Sequence, residues 1–145
     1  MGLFDKVFGG NQPKLTPQDA FTGVVMSAVA ADGVISQEEA LSVMTVLSRM
    51  KLYAGTSQGQ MKAMLDRAVN TLRKDGPSPL VAAAKETLPP DLRDTAFAVA
   101  ADLVLADGVV EEKEKKFLEE LQKAMGVPDD VALKITEVLV IKNRG

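Results

Sequence analysis

The segment Ala31-Asp32-Gly33-Val34 returns as Ala106-Asp107-Gly108-Val109, and each copy is followed by a glutamate seven residues after its aspartate, Glu39 and Glu114. A shift of 75 positions also superposes Asp19 on Asp94, Val24 on Val99, Val29 on Val104 and Met50 on Met125. A turn glycine, spaced apolar positions and a pair of carboxylates are therefore preserved together. That combination constrains the chain to a duplicated fold unit and marks one possible ligand set.

The elements around the repeat read as helices. Thr16 can cap a first helix, with Pro17 at its first position and Asp19 where exposed amides favour a carboxylate. This helix, with Phe21 to Ala31 at its centre, is predicted to end at Asp32-Gly33. Ser36 and Glu39 have capping-box spacing and open a second helix, whose Ala40, Val43, Met44, Leu47 and Met50 share one face. Ser57 and Gln60 repeat the device for a third helix with an apolar stripe of Met61, Met64, Leu65, Ala68, Val69 and Leu72, closed by Asp75-Gly76-Pro77. Ser78-Pro79 starts a short fourth helix, and Pro89-Pro90-Asp91 interrupts the chain before a fifth.

The fifth helix is apolar nearly all round from Ala96 to Ala106, and its alanines, like Gly23 and the alanines of the first helix, permit close approach of a neighbour. Asp102 lies within it, either as a buried functional acid or facing a gap between helices. Phe117, Leu118, Leu121, Ala124 and Met125 form the stripe of a sixth helix that Gly126 stops, and Pro128 starts a seventh reaching about Ile141. No strand pattern competes. The expectation is an all-α, single-domain bundle of about seven helices built from two pseudo-symmetric repeats, about 16–76 and 77–145. The domain then spans 15–145. Residues 1–14 make a short amphipathic lead, Leu3 to Phe8, and a joint, Gly9 to Pro13.

Composition removes several chemistries. The chain has no cysteine and no histidine, so thiol redox chemistry, Cys/His nucleophile pairs, the Ser-His-Asp triad and the usual zinc ligand sets are unavailable. Its 145 residues carry a net charge of −3 without a basic run, which argues against nucleic acid and against anionic membrane surfaces as partners. The seven methionines fall mostly on apolar stripes and read as core filler. Ala96 to Ala106 is too short for a membrane span, and the N-terminal residues lack the pattern of a secretory signal, so a cytoplasmic location is expected.

The Asp-Gly-x-x-x-x-x-Glu segments carry the remaining chemistry. Asp32, Gly33, Ile35 and Glu39 have the spacing of positions 5, 6, 8 and 12 of an EF-hand loop, and Asp107, Gly108, Val110 and Glu114 repeat it. Positions 1 and 3 fall on Ala28 and Ala30, and on Leu103 and Leu105, which cannot ligate. Each copy supplies at most half a calcium loop. A competent site needs carboxylates from both copies, backbone carbonyls or waters, and would take a hard ion such as Ca²⁺, Mg²⁺ or Mn²⁺ weakly. The same residues have another explanation: Asp-Gly makes turns, and Glu39 can close a capping box with Ser36. In the second copy Glu111 stands in place of that serine while Glu114 remains, which weakens the capping explanation for Glu114.

Alanine-aspartate-glycine followed by an acidic helix start, present twice in an all-helical chain of this length, resembles the TerB-like family of bacterial tellurite resistance systems. The lead Leu3-Phe4-Asp5-Lys6-Val7 is similar to that family's N-terminus, and the resemblance covers nearly the whole chain. It implies a cytoplasmic, non-catalytic helical module of the tellurite and stress response, of the kind also found in DnaJ-like co-chaperones, with an acidic face that binds divalent metal. By position the implied metal ligands are Asp32, Glu39, Asp107 and Glu114. No catalytic residue and no organic cofactor are expected, and the expected partners are other stress-response proteins, with membrane association only through a partner. A metal-independent helical interaction scaffold is the alternative. Direct reduction of tellurite by thiols is excluded, and an acidic chain is a poor trap for an oxyanion.

Overall fold

The computed structural model describes residues 15–30, 33–106 and 110–144. Among these, the chain forms α1 (Pro17–Val29), α2 (Gln37–Ser48), a 3₁₀ turn (Lys51–Tyr53), α3 (Gln58–Asp75), α4 (Ser78–Thr87), α5 (Pro90–Leu105), α6 (Glu112–Met125) and α7 (Asp129–Lys142), with no strand. The predicted lead and its joint lie outside the described residues. α2 starts at 37 and α6 at 112, 75 positions apart, whereas α1 and α5 start 73 apart and α3 and α7 start 71 apart. The correspondence then lapses, because the 3₁₀ turn of the first half is replaced by the short Gly126-Val127-Pro128 link.

The helix ends follow from local chemistry. Thr16 Oγ1 accepts from Asp19 N at 3.1 Å, Ser36 Oγ from Glu39 N at 3.1 Å and Ser57 Oγ from Gln60 N at 3.1 Å, each satisfying an amide that the first turn leaves unpaired. Gly126, left-handed at φ 72°, ends α6 as predicted. The six residues predicted for the stripe of α3 are the six it buries. In α6, by contrast, Ala124 is exposed, and α2 ends at Ser48, leaving Met50 beyond it.

α1 is central. Every residue from Ala20 to Ser27 is buried, and the helix packs against α3, α4 and α5 with the 3₁₀ turn alongside. Gly23 permits the approach of α4, since a Cβ there would stand 3.2 Å from Leu80 Cδ2. On α5, Ala96, Ala100 and Ala101 are fully buried, leaving room for α1, α6 and α7 to pack closely around it. Each buried Phe, Val, Leu or Met contributes roughly 2 kcal/mol to this core. Four methionines, Met26, Met61, Met64 and Met125, are buried, the filler role expected of them.

The polar groups of this core are paired. Ser27 Oγ donates to Gly23 O at 2.7 Å, while the Thr22 hydroxyl and Tyr53 OH share a hydrogen bond of 2.8 Å. Tyr53 OH also donates to Gln18 O at 3.1 Å, and its ring meets Phe21 edge to face at 6.2 Å. Asp102 is partly buried and faces the gap between α5 and the end of α7, where its Oδ1 accepts from Lys142 Nζ at 3.2 Å and from Asn143 Nδ2 at 3.0 Å. The acid thus ties the end of α7 to α5 over a small satellite cluster of Ala101, Leu105 and Leu139. No described helix is long and apolar enough to cross a membrane.

Candidate functional site

The first acidic segment is built by the end of α1. Ala30 leaves the helix at φ −135°, ψ 49°, its N–H still bound to Met26 O, so the helix stops at Val29, earlier than the predicted Asp32-Gly33. Gly33 N then donates to Ala30 O at 2.8 Å, and the chain turns through Gly33 at φ 80°. Only a residue without a Cβ fits here. A Cβ would run into Arg73 Cγ and lie 3.1 Å from Arg73 Cα, while Arg73 Nε donates to Gly33 O at 2.8 Å. The last turn of α3 thereby clamps the segment from a position 40 residues away.

Glu39 closes the segment as a cap: Ser36 N donates to Glu39 Oε1 at 3.1 Å. In the second segment α5 ends at Leu105, and Glu111 N donates to Glu114 Oε1 at 3.0 Å. Glu114 therefore has the same capping bond as Glu39. Loss of the serine did not remove that role, because the bond that Glu114 makes goes to a backbone amide and needs no hydroxyl. Lys113 and Lys115 lie 3.5 Å and 3.4 Å from Glu111 and Glu112, exposed pairs of little energetic weight that nonetheless bring counter-charge to the acidic start.

Asp32 and Asp107 lie outside the described residues. Of the predicted set, Glu39 and Glu114 are thus placed at the first turns of α2 and α6, each engaging its own helix through one carboxylate oxygen. Among the described residues no group of three or more acidic side chains is gathered as a metal would require. Arg73 was not anticipated from sequence. It reads there as an ordinary cation in the last turn of a helix, favourable to the dipole, and nothing local announces its bond to Gly33.

Residues 18–135 match the family described as tellurite resistance protein TerB. The chain belongs to the TerB family. Neither a curated protein nor a solved structure matches the chain. The TerB match begins inside α1, takes in both acidic segments and ends within α7, so the clamp of Arg73 on Gly33 and both glutamate caps fall inside it.

Proposed function

We propose that this TerB-family domain is a non-catalytic module of the cytoplasmic tellurite and stress response that binds a divalent cation weakly through its acidic segments and docks other stress-response proteins. The observation that carries the reading is the family match across both segments. The caps leave one carboxylate oxygen of Glu39 and of Glu114 outside the capping bond, and each glutamate stands at the end of a segment that begins with an aspartate. A hard ion is the ligand such oxygens select. Catalysis has no support in the residue set, which lacks any histidine or cysteine base or nucleophile.

The chain itself supplies the discriminating substitution. Gln60 caps α3 as Glu39 caps α2, with Ser57 N donating to Gln60 Oε1 at 2.9 Å. Glu39→Gln with Glu114→Gln thus keeps both caps and removes both charges, at an expected stability change below about 1 kcal/mol from the helix dipole. Titration of Ca²⁺, Mg²⁺ and Mn²⁺ followed by amide NMR is expected to move resonances of 31–39 and 106–114 in the parent and to leave them still in the double variant. Equal shifts in both proteins would remove the glutamates from any ligand set.

A second reading rests on the capping bonds of Glu39 and Glu114, which give both residues a structural role without an ion. The domain is then a metal-independent scaffold. Partner binding unchanged by a chelator, with flat spectra at millimolar cation, is the outcome that selects it. In either case Ser36→Ala is expected to cost about 1 kcal/mol, measured by denaturant unfolding.

A further inference from the structure

A hollow of about 460 Å³ opens beside the point where the described chain begins. Met64 and Ala68 of α3 and Leu80 of α4 give it an apolar lining, Thr71 continues it along α3, and Leu15, the first described residue, borders it at 39% exposure. Its two charged residues, Asp19 and Arg67, are already joined to each other at 2.8 Å, so apolar contact is what the hollow offers. Toward the start of α3 the surface turns polar, with Thr16, Thr56 and Gln60. The apolar stretch from Met64 to Thr71 is thus bounded, and it runs about 10 Å, two turns of α3.

The chain carries a matching occupant close by. Fourteen residues precede Leu15, and among them Leu3, Phe4, Val7 and Phe8 recur at three- and four-residue spacing, which sets them on one helical face with Asp5 and Lys6 on the other. A helical Leu3–Phe8 segment is about 9 Å long, the length of the apolar stretch. The joint from Gly9 to Lys14 reaches at most about 20 Å and leads directly into Leu15, on the border of the hollow. So short a tether holds the segment at an effective concentration on the order of 1 mM, and a contact that is only millimolar between separate molecules then fills the groove about half the time. Two phenylalanines, a leucine and a valine are ample apolar surface for a contact of that strength. We propose that the groove between α3 and α4 is covered by the chain's own lead, Leu3 to Phe8, as a reversible intramolecular latch. The latch is independent of cation binding and of partner docking.

The test uses the full chain. Because it has no cysteine, Gly2→Cys gives a single attachment point for a nitroxide, and methyl NMR reads which side chains the tagged lead approaches. Broadening is expected at Leu15, Met64, Ala68 and Leu80, with Leu133 and Val138 of α7 spared. Phe4→Ser with Phe8→Ser in the same tagged chain, changes outside the helical body, is expected to lower the docking constant at least about tenfold and to remove most of that broadening. In the untagged chain the same pair is expected to shift the Met64 and Leu80 methyl resonances and leave those of α7 in place. Broadening that survives the two serines is that of an undocked tether and would overturn the proposal. So would broadening centred on another face, such as Val81 and Leu121 between α4 and α6. A mixture of tagged, unlabelled chain with untagged, methyl-labelled chain covers the remaining occupant: broadening of Met64 and Leu80 there would assign the groove to the lead of a second copy and refute the latch, whereas its absence supports docking within one chain.

Discussion

Replacing Gly33 by alanine is expected to destabilise the domain by about 3 kcal/mol and lower its melting temperature by roughly 10 °C. Two costs combine. The backbone at φ 80° places an L side chain in the left-handed region, at about 1–2 kcal/mol, and the added Cβ meets Arg73 Cγ and the Arg73 backbone. The second cost cannot be relieved by rotating a side-chain tip, because Arg73 Cα is only 3.1 Å away and belongs to the packed α3. Gly55 supplies the control. It has φ 83° with nothing within 4 Å of its virtual Cβ, so Gly55→Ala isolates the backbone cost alone. Guanidinium unfolding of both variants separates the terms: equal losses would show that the contact with Arg73 is dispensable, and a Gly33 loss about twice that of Gly55 would establish the clamp.

This contrast also locates what the sequence could and could not reveal. Helix-forming patterns and caps depend on residues three or four apart, so the stripe of α3, the Thr16, Ser36 and Ser57 caps and the stop at Gly126 were legible. The end of α1 was not, because Val29 and Ala30 give no local stop signal. Gly33 then meets Arg73, a contact across 40 residues that no local pattern encodes. Ala124 looked like part of an apolar stripe but lies exposed beside a groove, since an alanine at the edge of a stripe has too little side chain to require burial. At the candidate site, the motif glutamates were found from spacing and duplication. The bond from Glu111 N to Glu114 is not legible from the serine pattern, because this half of the device needs only a glutamate at the third helical position and no hydroxyl.

The second large effect is expected at alkaline pH and comes from the core. Tyr53 is 2% exposed, and burial raises its phenol well above the ordinary value of 10.0, opposed by the Thr22 hydrogen bond and reinforced by the charge of Asp19. The folded protein therefore holds the proton after the unfolded chain has released it. Stability from this group is fully present below about pH 10 and falls above it by about 1.4 kcal/mol per pH unit, until the buried phenol itself ionises. Tyr53→Phe removes that dependence and, at neutral pH, costs about 1 kcal/mol for the hydrogen bonds to Thr22 and Gln18. The parent should thus be the more stable protein near pH 8, and the two should cross near pH 11. Denaturant unfolding across that range measures the crossing, with background lysine titration common to both proteins. Because the chain has one tyrosine and no tryptophan, tyrosinate absorbance follows this residue alone and is expected to rise only as the domain unfolds. Parallel stability curves for parent and variant, or tyrosinate formation in the still-folded protein, would mean that the phenol is in contact with solvent and that the packing of Tyr53 against Phe21 is looser than its 6.2 Å ring contact describes.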